Sequence, residues 1–511
     1  MKFKVTDDKQ FLQLIDGTKE EIEQLDISFT RKIENAKWRS RNHPYWNGDV
    51  HFFDKKLRIP FGLWDKVQDV CKRYNYKLEI DGMDKVIDFN FDEDEYRKWE
   101  KEFFKNSNKK PREFQTKAVI EILKWRRSMS ELATSSGKTQ IIFCVFAFLK
   151  QKGLLNKMLI IVPSVNLITQ GIEDFEEFSQ NKTLIKYKIQ AIGGGRPKIK
   201  QNVDIVIGTF HTLKNLDKSF FENINVVAVD ECHQTKTKSV QTVLSKVKAD
   251  LRFGVSGTTG VTGNKAKYAD AYTIQSLLGP LITKVTPDFI INKGYATPVN
   301  VRILYLDYLN DETKEMLYKL RSRGNNDGSK ILKLERDLII ENTIRFEFIV
   351  NLISRSTKNS IVFFTDIKNS YGKRIYNRLK QRYGDKFKVM YIDGSTKTEL
   401  RDEYKKLMDL DKDPRIKILI ASFGTFSTGI SINNVHNIFL CESYKSERII
   451  KQTIGRGMRL HKNKTVLNII DIVDDFTFKG YKNYMVNHAI EREQIYLTEK
   501  FKYEKFKIKL L

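Results

Sequence analysis

Three short runs of this sequence carry residue types suited to handling a phosphate chain. Leu132 to Thr139 reads LATSSGKT and closes on Gly137-Lys138-Thr139. A glycine there lets backbone N–H groups approach an anion, a lysine reaches the outer phosphates of a nucleoside triphosphate, and a threonine hydroxyl ligates magnesium. Thr134, Ser135 and Ser136 fill the loop before it and join it as candidate triphosphate contacts. Leu132 stands where such loops usually open on a glycine, so this segment alone reads equally as a chance match. Further along, the apolar run VVAV leads into Asp230-Glu231-Cys232-His233. Two adjacent carboxylates at a strand end call for a compensating cation. Asp230 suits the magnesium shell with Thr139, and Glu231 suits activation of an attacking water. The third run, Gln452 to Arg459, places Arg456 and Arg459 three residues apart, a spacing that allows one shared helical face. The fixed fork and permanent charge of a guanidinium match the charge on a transferring phosphoryl group. In isolation these arginines read as surface ion-pair partners; behind a phosphate loop and an acidic pair they read as catalytic.

Such residues need a rigid frame. Between Lys157 and Ser256 the short runs MLIIVP, VDIVIG, VVAVD and RFGVS alternate with longer amphipathic stretches, which predicts a parallel sheet covered by helices. SIVFFT, KVMYI, KILIAS, HNIFL and VLNIID predict a second one. The expected α/β domains span residues 108–309 and 338–482, with a polar interdomain connection at 310–337 whose segment Arg321 to Ser329 reads as a turn or flexible loop. Residues 1–107 form a separate small α/β domain ending in an acidic helical segment around Asp92 to Glu102. Val486, Ile490, Leu497 and Phe501 recur at helical spacing, predicting a helical extension over 483–511 that packs on the second domain. The basic tail from Phe501 to Leu511 would cap it.

Composition narrows the partners. Ninety Lys and Arg against 64 Asp and Glu leave a formal charge of +26, spread along all 511 residues, which points to a polyanion. Cys71, Cys144, Cys232 and Cys441 lie far apart, without zinc-ligand spacing, and read as reduced thiols. The longest apolar run, Ile141 to Leu149, is too short to span a bilayer, so no membrane association is expected. Near the N-terminus, Arg31, Lys32, Lys37, Arg39 and Arg41 cluster around Trp38, Tyr45 and Trp46, a combination that holds a backbone and stacks a base. The alternative is a folded core with lysines reaching out of it; Trp46 and Phe61 are expected in the core.

In this order the motifs resemble those of superfamily 2 helicases. Pro111 to Gln115 resembles the adenine-reading segment, with Gln115 on the base; Leu132 to Thr139 is similar to motif I, DECH to motif II, Ser256-Gly257-Thr258 to motif III and Gln452 to Arg459 to motif VI, adding Gln452 to the catalytic set. The resemblance implies two tandem RecA-like domains, ATP and Mg2+, and a nucleic-acid track. Pro163, Gln170, Gly194, Gly195 and Thr209 in the first domain, with Thr365, Gly394 and Ser427 in the second, match segments that hold phosphates without reading bases. Gly429, in Ser427 to Ser431, matches an ATP-side position. Any one of these loops reads equally as an ordinary glycine-rich turn; their order joins them.

The runs YWNGDV at Tyr45 and IPFGL at Ile59, with IGGG at Ile192, FSTGIS at Phe426 and QTIGR at Gln452, are similar to the UvsW recombination helicases of T-even-like bacteriophages over essentially the whole chain. That family implies a DNA helicase that unwinds and branch-migrates forks, Holliday junctions and R-loops, in the infected host cytoplasm. It also implies a monomer working beside phage replication or recombination proteins, with Arg39 and Arg41 on DNA. The alternatives are a duplex translocase subunit of a restriction or repair nuclease complex, a fold that has lost turnover, and an RNA helicase.

Overall fold

The computed structural model describes residues 1–34, 47–88, 90–180, 182–195, 202–262, 266–322, 328–365, 370–410, 413–427, 432–444 and 446–510. It divides into two compact units: residues 1–133 with 137–285, and residues 286–511 with 134–136.

The first unit opens on a small sheet. Strands β1 (Lys2–Val5), β2 (Phe11–Asp16), β5 (Arg58–Pro60) and β6 (Glu79–Asp81) take the order β5-β2-β1-β6, while β3 (Thr30–Lys32) and β4 (Asp49–His51) pair as a separate antiparallel ribbon. The helix Lys19–Ser28 starts on a reciprocal cap: Glu21 N–H donates to the Thr18 hydroxyl, and Thr18 N–H donates to the Glu21 carboxylate. This region is not the separate domain expected from sequence. Its core, built from residues such as Phe3, Leu12, Phe29, Phe61 and Val67, continues into Ala269 and Tyr272. Trp64 stacks on Trp125 with ring centroids 5.2 Å apart, and Asp65 accepts a 2.6 Å hydrogen bond from the Gln275 amide. Close approach also fixes Gly62, because a Cβ there would lie 2.1 Å from the Gln275 carbonyl oxygen.

The rest of this unit is one parallel sheet. β7 (Arg127–Leu132), β8 (Met158–Val162), β9 (Ile189–Ile192), β10 (Ile205–Thr209), β11 (Val226–Asp230), β12 (Leu251–Ser256) and β13 (Leu281–Val285) take the order β13-β7-β12-β11-β8-β10-β9. Helices cover both faces, so β8 and β10 are buried at every residue and read as unbroken apolar runs. The helix Lys138–Gln151 is buried from Gln140 to Leu149, which explains its apolar length: it lies under an aromatic layer in which Tyr96 and Trp99 both pack on Phe148 at 5.2 Å. Those rings come from the helix Glu93–Phe103, which therefore packs on the large sheet's own helix. Its N-cap, Asp92, accepts from Glu95 N–H.

The second unit carries another seven-stranded parallel sheet. β14 (Val299–Asp307), β15 (Ser360–Phe364), β16 (Phe387–Ile392), β17 (Ile416–Ser422), β18 (Asn437–Leu440), β19 (Leu467–Asp474) and β20 (Lys502–Lys509) take the order β16-β17-β15-β18-β19-β14-β20. Three expected limits move. β14 lies inside the range 108–309 assigned to the first domain, yet it pairs with β19 and β20 of the second sheet. The stretch 310–337 is not a bare connection but carries the helices Asp311–Ser322 and Gly328–Glu341. The extension 483–511 is helical only over Tyr484–Thr498, and the basic tail then extends as β20. Two buried ion pairs pin the second half of β19: Arg492 clasps Asp471 with bonds of 2.8 and 2.9 Å, and Arg345 clasps Asp474 while donating to the Cys441 carbonyl. Breaking either would leave a buried charge at a cost of about 3–5 kcal/mol. The four cysteines are buried and free, and among the described residues no helix is long and apolar enough to cross a membrane.

Candidate nucleotide and nucleic-acid sites

In the first unit the chemistry gathers at the C-terminal ends of β7, β11 and β12. β7 ends at Leu132, and the loop turns into the helix Lys138–Gln151 through Gly137, the N-cap, at φ +80°. A Cβ at Gly137 would sit 2.4 Å from the Gln115 amide nitrogen, so this position is restricted by both backbone and space. Gln115 is buried on the helix Glu113–Trp125; its amide donates to the Gly137 carbonyl at 3.3 Å and its carbonyl accepts from Arg112 N–H at 2.7 Å. The glutamine expected to read a base is thus also a strut under the phosphate loop. Thr134, Ser135 and Ser136 group with the second unit.

Lys138 Nζ lies 3.5 Å from Glu231 Oε1. The other oxygen, Oε2, accepts from the Ser256 hydroxyl at 3.0 Å and lies 3.3 Å from His233 Nδ1, which is itself 3.0 Å from the same hydroxyl. Motif residues from three strand ends therefore meet on one carboxylate. Burial would raise Glu231, but Lys138, His233 and Ser256 outweigh it and hold the carboxyl well below the usual range. Its neighbour behaves oppositely. Burial, with the Glu231 charge added, pushes Asp230 up, and Lys138 offsets only part of this. Glu231 also holds a left-handed backbone, φ +52°, which a non-glycine residue occupies at a cost of order 1 kcal/mol or more.

Asp230 and Thr139 line one cavity of about 40 Å³, joined there by Gln170 and Asp174. Sequence reasoning placed Gln170 with the nucleic-acid contacts and missed Asp174. The signal was available: both sit on the helix Val165–Phe178 four residues apart, on one face. His233 and Ser256 were visible only as motif letters, because their convergence on Glu231 depends on the pairing of β11 with β12.

The expected track residues fall at neighbouring strand ends. Pro163 follows β8, Thr209 closes β10, and Gly194 and Gly195 follow β9, exposed at φ +64° and +72°. Thr209 is buried and its hydroxyl is 3.1 Å from that of Thr212, so it shapes the loop from within. In the second unit, Gly394 is exposed, and its carbonyl accepts from Arg401 at 3.1 Å. Thr365 follows β15, with its N–H donating to Glu442 at 3.2 Å and its hydroxyl on the same carboxylate. Ser427 ends the short helix Phe423–Ser427. Arg39, Arg41 and Gly429 lie outside the described residues, as do Lys37, Trp38, Tyr45 and Trp46.

Gln452 and Arg456 sit on the helix Glu447–Gly457 of the second unit. Arg459 does not share their helical face, because the helix stops at Gly457. Met458 is the C-cap, and Thr297 ties the following segment by donating to the Met458 and Arg459 carbonyls at 2.8 and 3.2 Å. Lys464 adds a 3.0 Å bond to the Gly457 carbonyl, satisfying an acceptor the helix end would leave open.

Two parallel α/β sheets, the first with a phosphate loop facing an Asp-Glu pair at its strand ends, define a two-domain nucleotide-driven motor of helicase superfamily 2. The comparisons agree: residues 108–260 match the family model described as Type III restriction enzyme, res subunit, and residues 344–461 match the Helicase conserved C-terminal domain. The ATP-dependent DNA helicase uvsW of Enterobacteria phage T4 is 30% identical over 488 residues, 92% of this chain and 91% of that protein. The DNA 3'-5' translocase XPB2 of Sulfurisphaera tokodaii is 22% identical over 74% of this chain and 83% of its own. The fold is also that of the ATP-dependent Type ISP restriction-modification enzyme LlaBIII bound to DNA, at TM-score 0.58 and 15% identity over 87% of this chain and 36% of that one. The chain belongs to the UvsW family of helicases: it is an ATP-dependent helicase that hydrolyses ATP and binds nucleic acid.

Proposed function

We propose that this helicase acts on DNA, unwinding and branch-migrating forks, four-way junctions and R-loops in phage recombination, replication and repair. The observation that carries the motor reading is the clasp of Lys138 on Glu231, with Ser256 and His233 on the far carboxylate oxygen. Its cation is the one a triphosphate would compete for. When Lys138 turns to the β- and γ-phosphates, Glu231 loses the strongest of the influences that hold it acidic. It then becomes a better acceptor for a proton from water, while Ser256 and His233 keep it aimed.

Mg2+ fits the residues present. A hydroxyl and a carboxyl, Thr139 and Asp230, share one small cavity, and Asp230 is raised by burial as a carboxyl short of positive charge would be. These two would hold the ion, which when bound supplies charge to the phosphates. Gln115 and Thr134 to Thr139 would line the nucleotide, with Gly429. Gln452, Arg456 and Arg459 are the proposed catalytic residues of the second domain, where a guanidinium stabilises charge that builds only in the transition state. Phosphate contacts would come from Pro163, Gln170, Gly194, Gly195 and Thr209 in the first unit and from Thr365, Gly394 and Ser427 in the second, with Arg39 and Arg41 on the duplex.

DNA as substrate is supported by the relation to the phage T4 helicase along nine-tenths of both chains. The test is strand displacement with ATP on forked DNA, four-way junctions and RNA–DNA hybrids. Displacement of forks and junctions supports the reading. Unwinding confined to RNA duplexes, or ATP hydrolysis on linear duplex without strand separation, would replace it.

A further inference from the structure

A groove of about 450 Å³ runs across the first unit where the β3 strand meets the start of the helix Ala269–Leu278. Arg31 and Lys32 form one wall, and Lys267, Tyr268 and Tyr272 form the other. Three cations and no carboxylate line it among the described residues. The nearest acid on the helix, Asp270, is already engaged by Lys236 at 2.7 Å. Arg31 is pre-set rather than loose: its guanidinium lies 4.3 Å from the centre of the Tyr272 ring and donates to that residue's hydroxyl. Lys267 lies 5.4 Å from the centre of the Tyr268 ring, and both Lys32 and Lys267 are exposed.

We propose that this groove binds the phosphodiester backbone of the nucleic-acid substrate, as a contact separate from the loops at the strand ends. The inference rests on the motor reading above and adds to it a site built jointly by the β3–β4 ribbon and the ATP-binding domain. Like-charged side chains on facing walls repel one another unless an anion lies between them, and a strand threaded there supplies one phosphate per cation. A lysine ammonium meets a phosphate as a point charge, so the contribution of the groove should be independent of sequence. Its floor also leads to the ATP site. The helix behind Tyr268 packs through Leu278 on Gly254, where a Cβ would be 2.7 Å from Leu278 and 2.6 Å from Cys232, the residue after Glu231. Occupancy of the groove should therefore register in hydrolysis.

The test uses the full chain with Lys32→Glu, Lys267→Glu and the pair together, and Lys→Arg at both as the charge-preserving control. Lys32→Gln/Lys267→Gln serves if reversal lowers the unfolding temperature. Fluorescent forked DNA and a single-stranded oligonucleotide are titrated over a range of salt, and ATPase is measured alongside. The double reversal should weaken binding at least about tenfold near 0.1 M salt and reduce the slope of log affinity against log salt by nearly two. It should also raise the DNA concentration for half-maximal stimulation of hydrolysis. Loss on the fork alone assigns the groove to a duplex arm; equal loss on both assigns it to the tracked strand. Affinity within twofold of wild type and an unchanged salt slope, with wild-type hydrolysis normally stimulated by DNA, would overturn the groove and leave the motor reading standing. A wild type whose hydrolysis ignores nucleic acid would remove both.

Discussion

Glu231 is held by a lysine it should give up to substrate and by two neighbours it should keep, and substitutions separate these roles. Lys138→Ala should abolish hydrolysis by removing the phosphate contact, while nucleic-acid affinity stays within about threefold, since the track loops do not use it. Glu231→Gln keeps the shape and loses the base, so ATP should still bind while turnover falls roughly 10²–10⁴-fold. Rapid hydrolysis by either variant, followed as phosphate release, would move the site elsewhere. Ser256→Ala should cost less, on the order of tenfold in kcat with little change in KM for ATP, because His233 still orients the carboxylate. A larger loss in KM than in kcat would make Ser256 a binding residue. The identities of these residues were legible from spacing alone. Their convergence was not, since it arises where β11 and β12 end side by side, some 25 residues apart in the chain.

Between elements, two packing decisions are open to measurement. On the helix Gly328–Glu341, Glu335 accepts from Tyr484 N–H at 2.9 Å and faces Arg321 at 3.4 Å, yet burial outweighs both and pushes it up to about 7. A carboxyl whose pKa is higher folded than unfolded stabilises the fold fully below about pH 4.5 and loses that contribution as pH rises through 7. Glu335→Gln should therefore gain about 1 kcal/mol on wild type between pH 6 and pH 8 in denaturant unfolding. A difference that stays constant with pH would show that Glu335 remains ionised throughout. The other decision is at Gly62, pressed against the Gln275 carbonyl. Gly62→Ala forces the accessory sheet away from the helix Ala269–Leu278 and should destabilise by on the order of 2–3 kcal/mol. An unchanged unfolding midpoint would mean that this joint is soft. Sequence periodicity gave no sign of the joint, because a glycine's lack of a side chain leaves no pattern.

For the whole molecule, the shared core changes what the N-terminal region can be. It is not a module to be cut away: removing residues 1–88 would expose Trp125 and Tyr272 and take away Asp88 and Lys9, which pair with Arg126 and Asp250 just before β7 and β12. The truncated chain should aggregate or melt well below the intact protein; a shortened chain that melts as the intact one does would restore the picture of a tethered domain. Both parallel sheets were readable because strands buried on two faces, such as VVAVD and KILIAS, leave unbroken apolar runs. β7, RSMSEL, escaped notice although it is paired on both sides, since Ser128, Ser130 and Glu131 break any such run and only β12 and β13 make it a strand. β20, KYEKFKIK, escaped for the opposite reason, an edge strand whose lysines leave it largely exposed.

The position of β14 bears on how the chain is made. It emerges at the head of the second unit, but both its partners, β19 and β20, come later, the last of them roughly 200 residues on. At ordinary rates of synthesis of about 5–20 residues per second, β14 waits about 8–32 seconds before β19 is made and about 10–40 seconds before its second edge can pair with β20. The first unit needs nothing beyond Val285 and is free to fold during that interval. Ribosome-bound chains halted before Lys502 should thus show a protease-resistant first half and a second sheet still open to chaperones, and the second half should close only as the last strand clears the exit tunnel.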